Sequence, residues 1–345
     1  MSISENSAPS HDSPPRLESS RKWLPSWNGT SSVIAITAAL FVFSWVIAPG
    51  SVSGSALDSL LPFTGILAIA AIGQTIVVML KGIDLSLPGM MTLAALVSSK
   101  YAADHGSVLT ALIVVAVIAI IVGIVNGIVV SIFSVTPLVA TLAMNAILLG
   151  VALAYSGGTP TRAPEGVSEF ALNKTIGISN TVWLAMGLVL VTVFATSRTG
   201  WGRRVVAVGS NERTARAAGV PTIRIKVSGY LAAALCYSGA GVLLAGYVST
   251  PNTNAGNSYL LPAIAAVVVG GTALTGGRGN IVGTAIGALF LSQLTQLVLS
   301  MGAPSATQFL VQAAVIALAV GAQQFDFKAA LSRYKRERRS AISQS

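Results

Sequence analysis

Long apolar runs, broken by short polar stretches, recur along nearly the whole chain. Most are about 16 to 28 residues long, close to the roughly 20 needed to cross a bilayer as a helix. The candidate spans are 33–48, 60–80, 88–101, 107–133, 136–156, 178–197, 227–249, 259–275, 281–300 and 307–323. Lipid cannot hydrogen-bond a peptide backbone, so spans of this kind are expected to be helices unless protein shields them. The pattern predicts an all-α integral membrane protein of about ten transmembrane helices. Two regions, residues 81–101 and 271–287, are expected to hold short or broken helices, and 88–101 is too short to cross upright.

Composition agrees with that pattern and marks the ends of the domain. Of the 345 residues, 53% are hydrophobic and 9% charged, with a mean hydropathy of +0.75, whereas a soluble domain carries about 25% charged residues. Residues 1–30 are rich in Ser, Pro and charge and are expected to form a disordered tail. Arg21-Lys22 followed by Val33–Ala48 resembles a signal peptide, but the preceding tail is long and no small-x-small cleavage site follows, so an uncleaved first helix is expected. A single polytopic domain then occupies 31–325, and residues 326–345 form a basic tail.

Charge turns the span count into an orientation. The net charge is +10, yet the basic residues sit in short loops and tails with no soluble domain to carry them, so nucleic acid is not the partner they point to. Lys and Arg concentrate on the cytoplasmic side of membrane proteins. With both termini placed in the cytoplasm, 18 of the 21 basic residues fall inside and only Lys100, Arg162 and Lys174 outside. Cys236 is the only cysteine and the two histidines, His11 and His105, lie outside the apolar spans, so neither a disulfide nor a metal site is expected. A membrane-embedded enzyme would also need a cluster of His, Cys, Asp or Glu that the chain lacks.

The longest basic stretch between two spans, 198–226, contains a short helix with readable ends. Asn211 suits the N-cap, Glu212 the positive end of the dipole, Gly219 the C′ position, and Pro221 blocks continuation. Ala215 and Ala218 share a small-residue face for close approach by another protein, beside Arg213 and Arg216. A helix so short is marginal alone and needs tertiary or partner contacts. Two readings stand open: a docking element, or a solvated loop whose arginines set topology and touch anionic lipid.

Three further features carry candidate chemistry. After Lys81-Gly82 breaks an apolar run, Asp84 and Ser86 offer oxygens where a new helix begins with Pro88 in its first turn. Asp84 is an intramembrane functional carboxylate, or it caps the helix or pairs with Lys81. The glycine-rich stretch 270–287 has P-loop spacing at Gly271 and Gly276, but Gly277 and Arg278 follow where Lys and Ser or Thr are required, so ATP is not bound there by that motif. Gly283 and Gly287, four apart, form a helix-packing face. Finally, Gln74, Asn126, Asn145, Gln293, Gln296, Gln308 and Gln312 lie within predicted spans, where an amide needs a partner or water. They face either a pathway for a neutral polar solute or one another across helix seams.

These segments together resemble the permease subunit of ribose-type bacterial ABC importers. Gly209-Ser-Asn-Glu-Arg-Thr-Ala-Arg-Ala-Ala-Gly219 is similar to the coupling loop of that family, although an acidic residue is usual where Arg213 stands. Gly82-Ile-Asp-Leu-Ser86 matches a second motif, with Pro88 replacing its usual glycine, and Ala263–Gly287 resembles a third. The resemblance covers residues 60 to 325 and implies an inner-membrane location and translocation of a sugar or similar small polar solute. It also implies three partners: a second permease copy or homologue, an extracytoplasmic binding protein, and a cytoplasmic ATPase subunit that carries ATP and Mg, leaving none on this chain. The alternative is an ion- or proton-coupled secondary transporter, for which Asp84 is the one available intramembrane carboxylate.

Overall fold

The computed structural model describes residues 29–324. The two expected tails lie outside the described residues, except that 29 and 30 open the first helix. Thirteen α-helices are described: α1 (Gly29–Ile47), α2 (Gly54–Met79), α3 (Leu87–His105), α4 (Val108–Ser131), α5 (Pro137–Ser156), α6 (Glu165–Leu172), α7 (Asn180–Arg198), α8 (Gly200–Ser210), α9 (Glu212–Ala217), α10 (Thr222–Val248), α11 (Leu260–Val269), α12 (Ile281–Ser300) and α13 (Ser305–Gln324). A two-stranded antiparallel hairpin, Lys174–Thr175 with Ile178–Ser179, precedes α7.

Seven of these helices (α1, α2, α4, α5, α7, α10 and α12) are long and apolar enough to cross a membrane. Chain punctuation sets several of their ends. Ser53 and Ser107 cap α2 and α4 by accepting from Ala56 and Thr110. Pro137 opens α5, and Gly157 ends it in the left-handed conformation that glycine tolerates.

Packing divides the helices into an inner and an outer set. α2 is 89% buried along its most apolar stretch and lies against α10, α12, α7 and α11. α10 in turn packs along α4, α2 and α3, with glycines admitting its backbone. A Cβ on Gly123 or Gly127 of α4 would stand 2.5 Å from the Cα of Leu231 or Val227. In contrast α1, α4, α5 and α7 turn large apolar side chains outward, among them Trp45, Leu109, Ile121, Val139 and Leu190, as a lipid-facing surface requires.

Two spans differ from the sequence expectation. The segment read as 88–101 is a 19-residue helix, α3, whose buried positions run almost without interruption from Leu87 to Ser99. Its polar residues hid its length from hydropathy, but protein rather than lipid surrounds it. The segment read as one span over 259–275 holds only the ten-residue α11, about 15 Å long and half a membrane's thickness.

The chain reaches the start of α11 by folding back into the bundle. Tyr259 stacks obliquely on Phe63 with ring centroids 5.1 Å apart, and Phe63 lies nine residues, about 14 Å, in from the Gly54 end of α2. Gly256 donates its N–H to Thr92 Oγ1 (3.0 Å) and lies against Pro88 and Met91. α10 packs beside that same level of α3 at Gly241, seven residues, about 10 Å, before its end at Val248. Residues 249–259 therefore descend from the end of α10 to mid-bundle before α11 continues the crossing.

Gly283 and Gly287 sit where α12 crosses α11. A Cβ at Gly283 would meet Gly270 O at 2.1 Å, and one at Gly287 would meet Ala266 O at 2.5 Å, which makes helix packing their geometric role. Gly283→Ala is expected to cost more than about 2 kcal/mol by overpacking and to lower the yield of monodisperse protein in size-exclusion chromatography, whereas Gly150→Ala, with nothing within 4 Å, leaves it unchanged.

Candidate functional site

One end of the bundle gathers most of the described basic residues and a surface built from α8 and α9. α8 was not anticipated: the stretch from Gly200 to Ser210 reads as loop because it is basic and glycine-containing. Thr199 caps it by accepting from Gly202 N–H (3.3 Å), and Val205 and Val208 are buried while Arg203 and Arg204 point outward. Trp201 Nε1 donates to Ser228 Oγ (2.8 Å), which ties α8 to α10.

α9 follows with the ends expected from its sequence. Asn211 Oδ1 accepts from Thr214 N–H at 3.1 Å, and Gly219 takes a φ of +79°. Glu212 is held by Arg216 (3.0 Å) and Lys226 (2.5 Å). The small-residue face is placed differently from the expectation, because Ala215 is buried in a cluster with Met79, Leu80, Val205, Val208 and Ile225. The outward face is instead made by Arg213, Thr214, Ala217, Ala218 and Gly219. The helical period rotates Ala215 toward α8 and α10, a choice that spacing within α9 alone did not determine.

A cleft of about 640 Å³ separates α9 from the turn between α4 and α5, lined by Lys81, Ser131, Arg213, Lys226 and Tyr230 among others. At its edge three backbones converge. Gly277 N–H donates to Met79 O (2.9 Å) at the end of α2, and a Cβ on Gly209 of α8 would stand 1.8 Å from that same oxygen. Lys81 Nζ donates to Ser210 O (3.2 Å). Several amides of the glycine-rich loop find protein acceptors: Gly277 N–H on Met79 O, Asn280 N–H on Thr272 Oγ1 and Gly283 N–H on Asn280 Oδ1.

From Met79 the chain enters the break between α2 and α3. Lys81, at φ +63°, closes α2 with Lys81 N–H donating to Val78 O and Gly82 N–H to Val77 O, a Schellman pattern with lysine in the place usual for glycine. The following residues are wired to four other helices. Gln74 of α2, with its amide turned to satisfy both ends, donates Nε2 to Tyr237 Oη (2.8 Å) and Asp84 O (3.2 Å) and accepts Asp84 N–H (3.1 Å). Thr141 Oγ1 of α5 accepts Leu85 N–H (2.8 Å), and Asn145 Oδ1 accepts Gly89 N–H (2.8 Å). Asn126 Nδ2 of α4 donates to Ser86 Oγ (3.0 Å), which donates to Asp84 Oδ1 (2.5 Å).

Asp84 is buried, and Ser86 N–H also donates to it at 2.9 Å. Lys81 reaches away from it, so the pairing considered from sequence is not made. The carboxylate serves as the local cap of the break. Gln74, Asn126 and Asn145, read as facing either a pathway or one another, all converge on this segment. Thr141 and Tyr237 complete its polar contacts, and hydropathy gave no cue to them because Thr and Tyr read as ordinary residues of a span.

Gln293 differs from this group. It is fully buried on α12 and neither amide atom has a hydrogen-bond partner among the described residues. Gln312 Nε2 donates to Thr295 Oγ1 (3.4 Å), while its Oε1 has no partner there. Among the described residues no group of three His, Cys, Asp or Glu stands close enough to hold a metal.

Comparison with known proteins accounts for this architecture. Residues 56–320 match the family described as "Branched-chain amino acid transport system / permease component". The ribose import permease protein RbsC of Escherichia coli K12 is 34% identical over 84% of this chain and 91% of its own length, and that of Bacillus subtilis 35% identical over 76% and 82%. The fructose import permease protein FrcC of Rhizobium meliloti is 29% identical over 91% of this chain and 90% of its own. No solved structure matches. The chain belongs to this permease family of ABC importers, multi-pass proteins of the inner membrane.

Proposed function

We propose that this chain is the membrane-spanning subunit through which an ATP-driven importer passes a sugar or similar small polar solute. In this reading it pairs with a second permease and receives solute from an extracytoplasmic binding protein. ATP and Mg reside on a cytoplasmic ATPase that docks on the outward face of α9. The observation that carries the reading is the junction at Met79. There α8, which continues into α9, meets the end of α2 and the glycine-rich loop through backbone contacts too close for any side chain. A displacement of α9 is thereby passed to the Leu80–Gly89 break without slack.

Charge supports an orientation with the α8–α9 end and both termini in the cytoplasm. Lys81, Arg203, Arg204, Arg213, Arg216 and Lys226 lie at that end, while Lys100 and Lys174 at the other pair with Asp104 (3.3 Å) and Asp58 (2.5 Å). The half-length α11 and the descending segment before it together supply one crossing, which restores ten passes. The relatives named for ribose and fructose support a sugar; the family description names branched-chain amino acids, and uptake assays with labelled ribose, fructose and leucine separate these.

Gly209→Val is expected to force α8 off the Met79 carbonyl. Uptake by the reconstituted importer should fall at least about ten-fold, a barrier increase of roughly 1.4 kcal/mol, while the partner still hydrolyses ATP. Unaltered uptake would remove the junction from the mechanism. Asp84→Asn keeps an oxygen for the Ser86 amide and is expected to retain most uptake, whereas Asp84→Leu leaves that amide and hydroxyl unpaired and costs about 1–3 kcal/mol of stability for each. A proton-coupled carrier would behave oppositely, losing transport in Asp84→Asn and on collapse of the proton gradient with ATP intact.

A further inference from the structure

Between α10 and α11 the chain adopts a form that lipid forbids. Residues 249–259 descend about 10 to 14 Å into the bundle without an α-helix, and only Asn257–Tyr259 makes a short 3₁₀ turn. Along this descent Asn252 and Asn254 are exposed, as are Asn257 and Ser258 between Gly256 and Tyr259, the two residues whose contacts set the depth. Asn252 Oδ1 accepts Asn254 N–H (2.8 Å), and Asn257 Nδ2 donates to Asn254 Oδ1 (3.1 Å). The Nδ2 groups of Asn252 and Asn254, Oδ1 of Asn257 and Oγ of Ser258 make no hydrogen bond within the described residues.

Irregular, polar backbone persists at membrane depth only where protein covers it or where it lines water. None of the described residues covers this side, and lipid cannot satisfy its polar groups, which points to water as the neighbour. The composition then narrows what else the wall takes. From Val227 to Gly277 there is no Asp, Glu, Lys or Arg, so the segment presents neutral donors and acceptors and no counter-charge for an ionic solute. Carboxamides and a hydroxyl at close spacing match the alternating donors and acceptors of a polyol.

The segment is also fixed rather than loosely draped. Gly256 lies in backbone contact with Pro88, where an added Cβ would meet Pro88 O at 2.3 Å, and Thr92 Oγ1 accepts its N–H. It is fastened to the first turns of α3, the helix whose start is held by the Asp84 and Ser86 contacts. Discontinuous helices at mid-membrane are a recurrent way for transporters to present solute contacts.

We infer that residues 252–258 form the wall of a water-filled vestibule, and that Asn254 and Asn257 hydrogen-bond a neutral, polyhydroxylated solute on its way through. The solute contact rests on the import reading; the water-filled vestibule does not. The test uses the importer reconstituted with its ATPase and binding protein. Asn254→Cys and Asn257→Cys are exposed to a membrane-impermeant sulfonated thiol reagent, beside Asn173→Cys in an exposed loop and Leu190→Cys on the lipid-facing side of α7. Labelling at rates comparable to Asn173→Cys is expected, and labelling no faster than Leu190→Cys, as lipid or a second copy covering the segment would give, overturns the vestibule.

The second readout is uptake of labelled ribose and fructose by Asn254→Ala and Asn257→Ala. Each is expected to lower uptake about ten-fold, the scale of one lost hydrogen bond in the transition state, with solute affinity of the binding protein unchanged. Wild-type uptake in both variants overturns the solute contact. If the unmodified importer carries neither sugar, it is the import reading that has failed, and thiol labelling still decides whether the vestibule exists.

Discussion

A backbone amide surrounded by apolar side chains must find its partner within the protein, and the stretch from Leu80 to Gly89 is where this chain meets that constraint with the least help from regular structure. The helix stops, turns through a lysine in a left-handed conformation, and starts again. Local bonds, Ser86 to Asp84 and the turn at Lys81, close part of that gap, and the other contacts come from elsewhere in the fold. Gln74, Asn126, Thr141 and Asn145 reach in from three different helices, and Tyr237 from a fourth orients the Gln74 amide. These polar side chains therefore meet where the backbone is irregular, and the large side chains exposed on the outside are mostly Leu, Ile, Val and Phe.

The import reading uses the same break to link the interior to the surface. A continuous helix transmits force along its axis but resists bending, whereas a helix interrupted by a hydrogen-bonded loop has a defined place to yield. Gly209 and Gly277 put two other segments in direct contact with the last carbonyl before that place. Close-packed interiors switch between arrangements rather than deform continuously, so contact without intervening side chains favours a concerted response.

The apolar spans were legible because lipid imposes length and hydropathy on any helix that meets it, as α4, α5 and α7 do. Where protein replaces lipid as the neighbour, that signal fades. α3 carries Thr92, Ser98, Ser99 and Lys100 and looked too short; α11 shared an apolar run with the loop after it and looked too long. The caps of α9 were readable from Asn211 and Gly219, since they depend on local geometry. The rotation of Ala215 inward was not, because it depends on α8, whose own helical period was masked by Arg203, Arg204 and three glycines. Gln74, Asn126 and Asn145 stood out as amides in apolar spans, but only tertiary structure could show that they meet at one segment.

The first helix adds a consequence for how such a chain is made. α1 packs chiefly on α12, through a stripe that includes Val33, Thr37 and Ser44, and Asn280 Nδ2 donates to Thr30 Oγ1 (2.9 Å) across 250 residues of sequence. Synthesis runs from the N-terminus, so α1 enters the bilayer long before the helix it rests on exists. It must wait there as a solitary segment, stable in lipid by its own hydrophobicity, and join the bundle among the last. Its weakly polar, alanine-bearing sequence suits that order of events: a helix that tolerates isolation early and requires only a few hydroxyl and amide contacts to be recruited late.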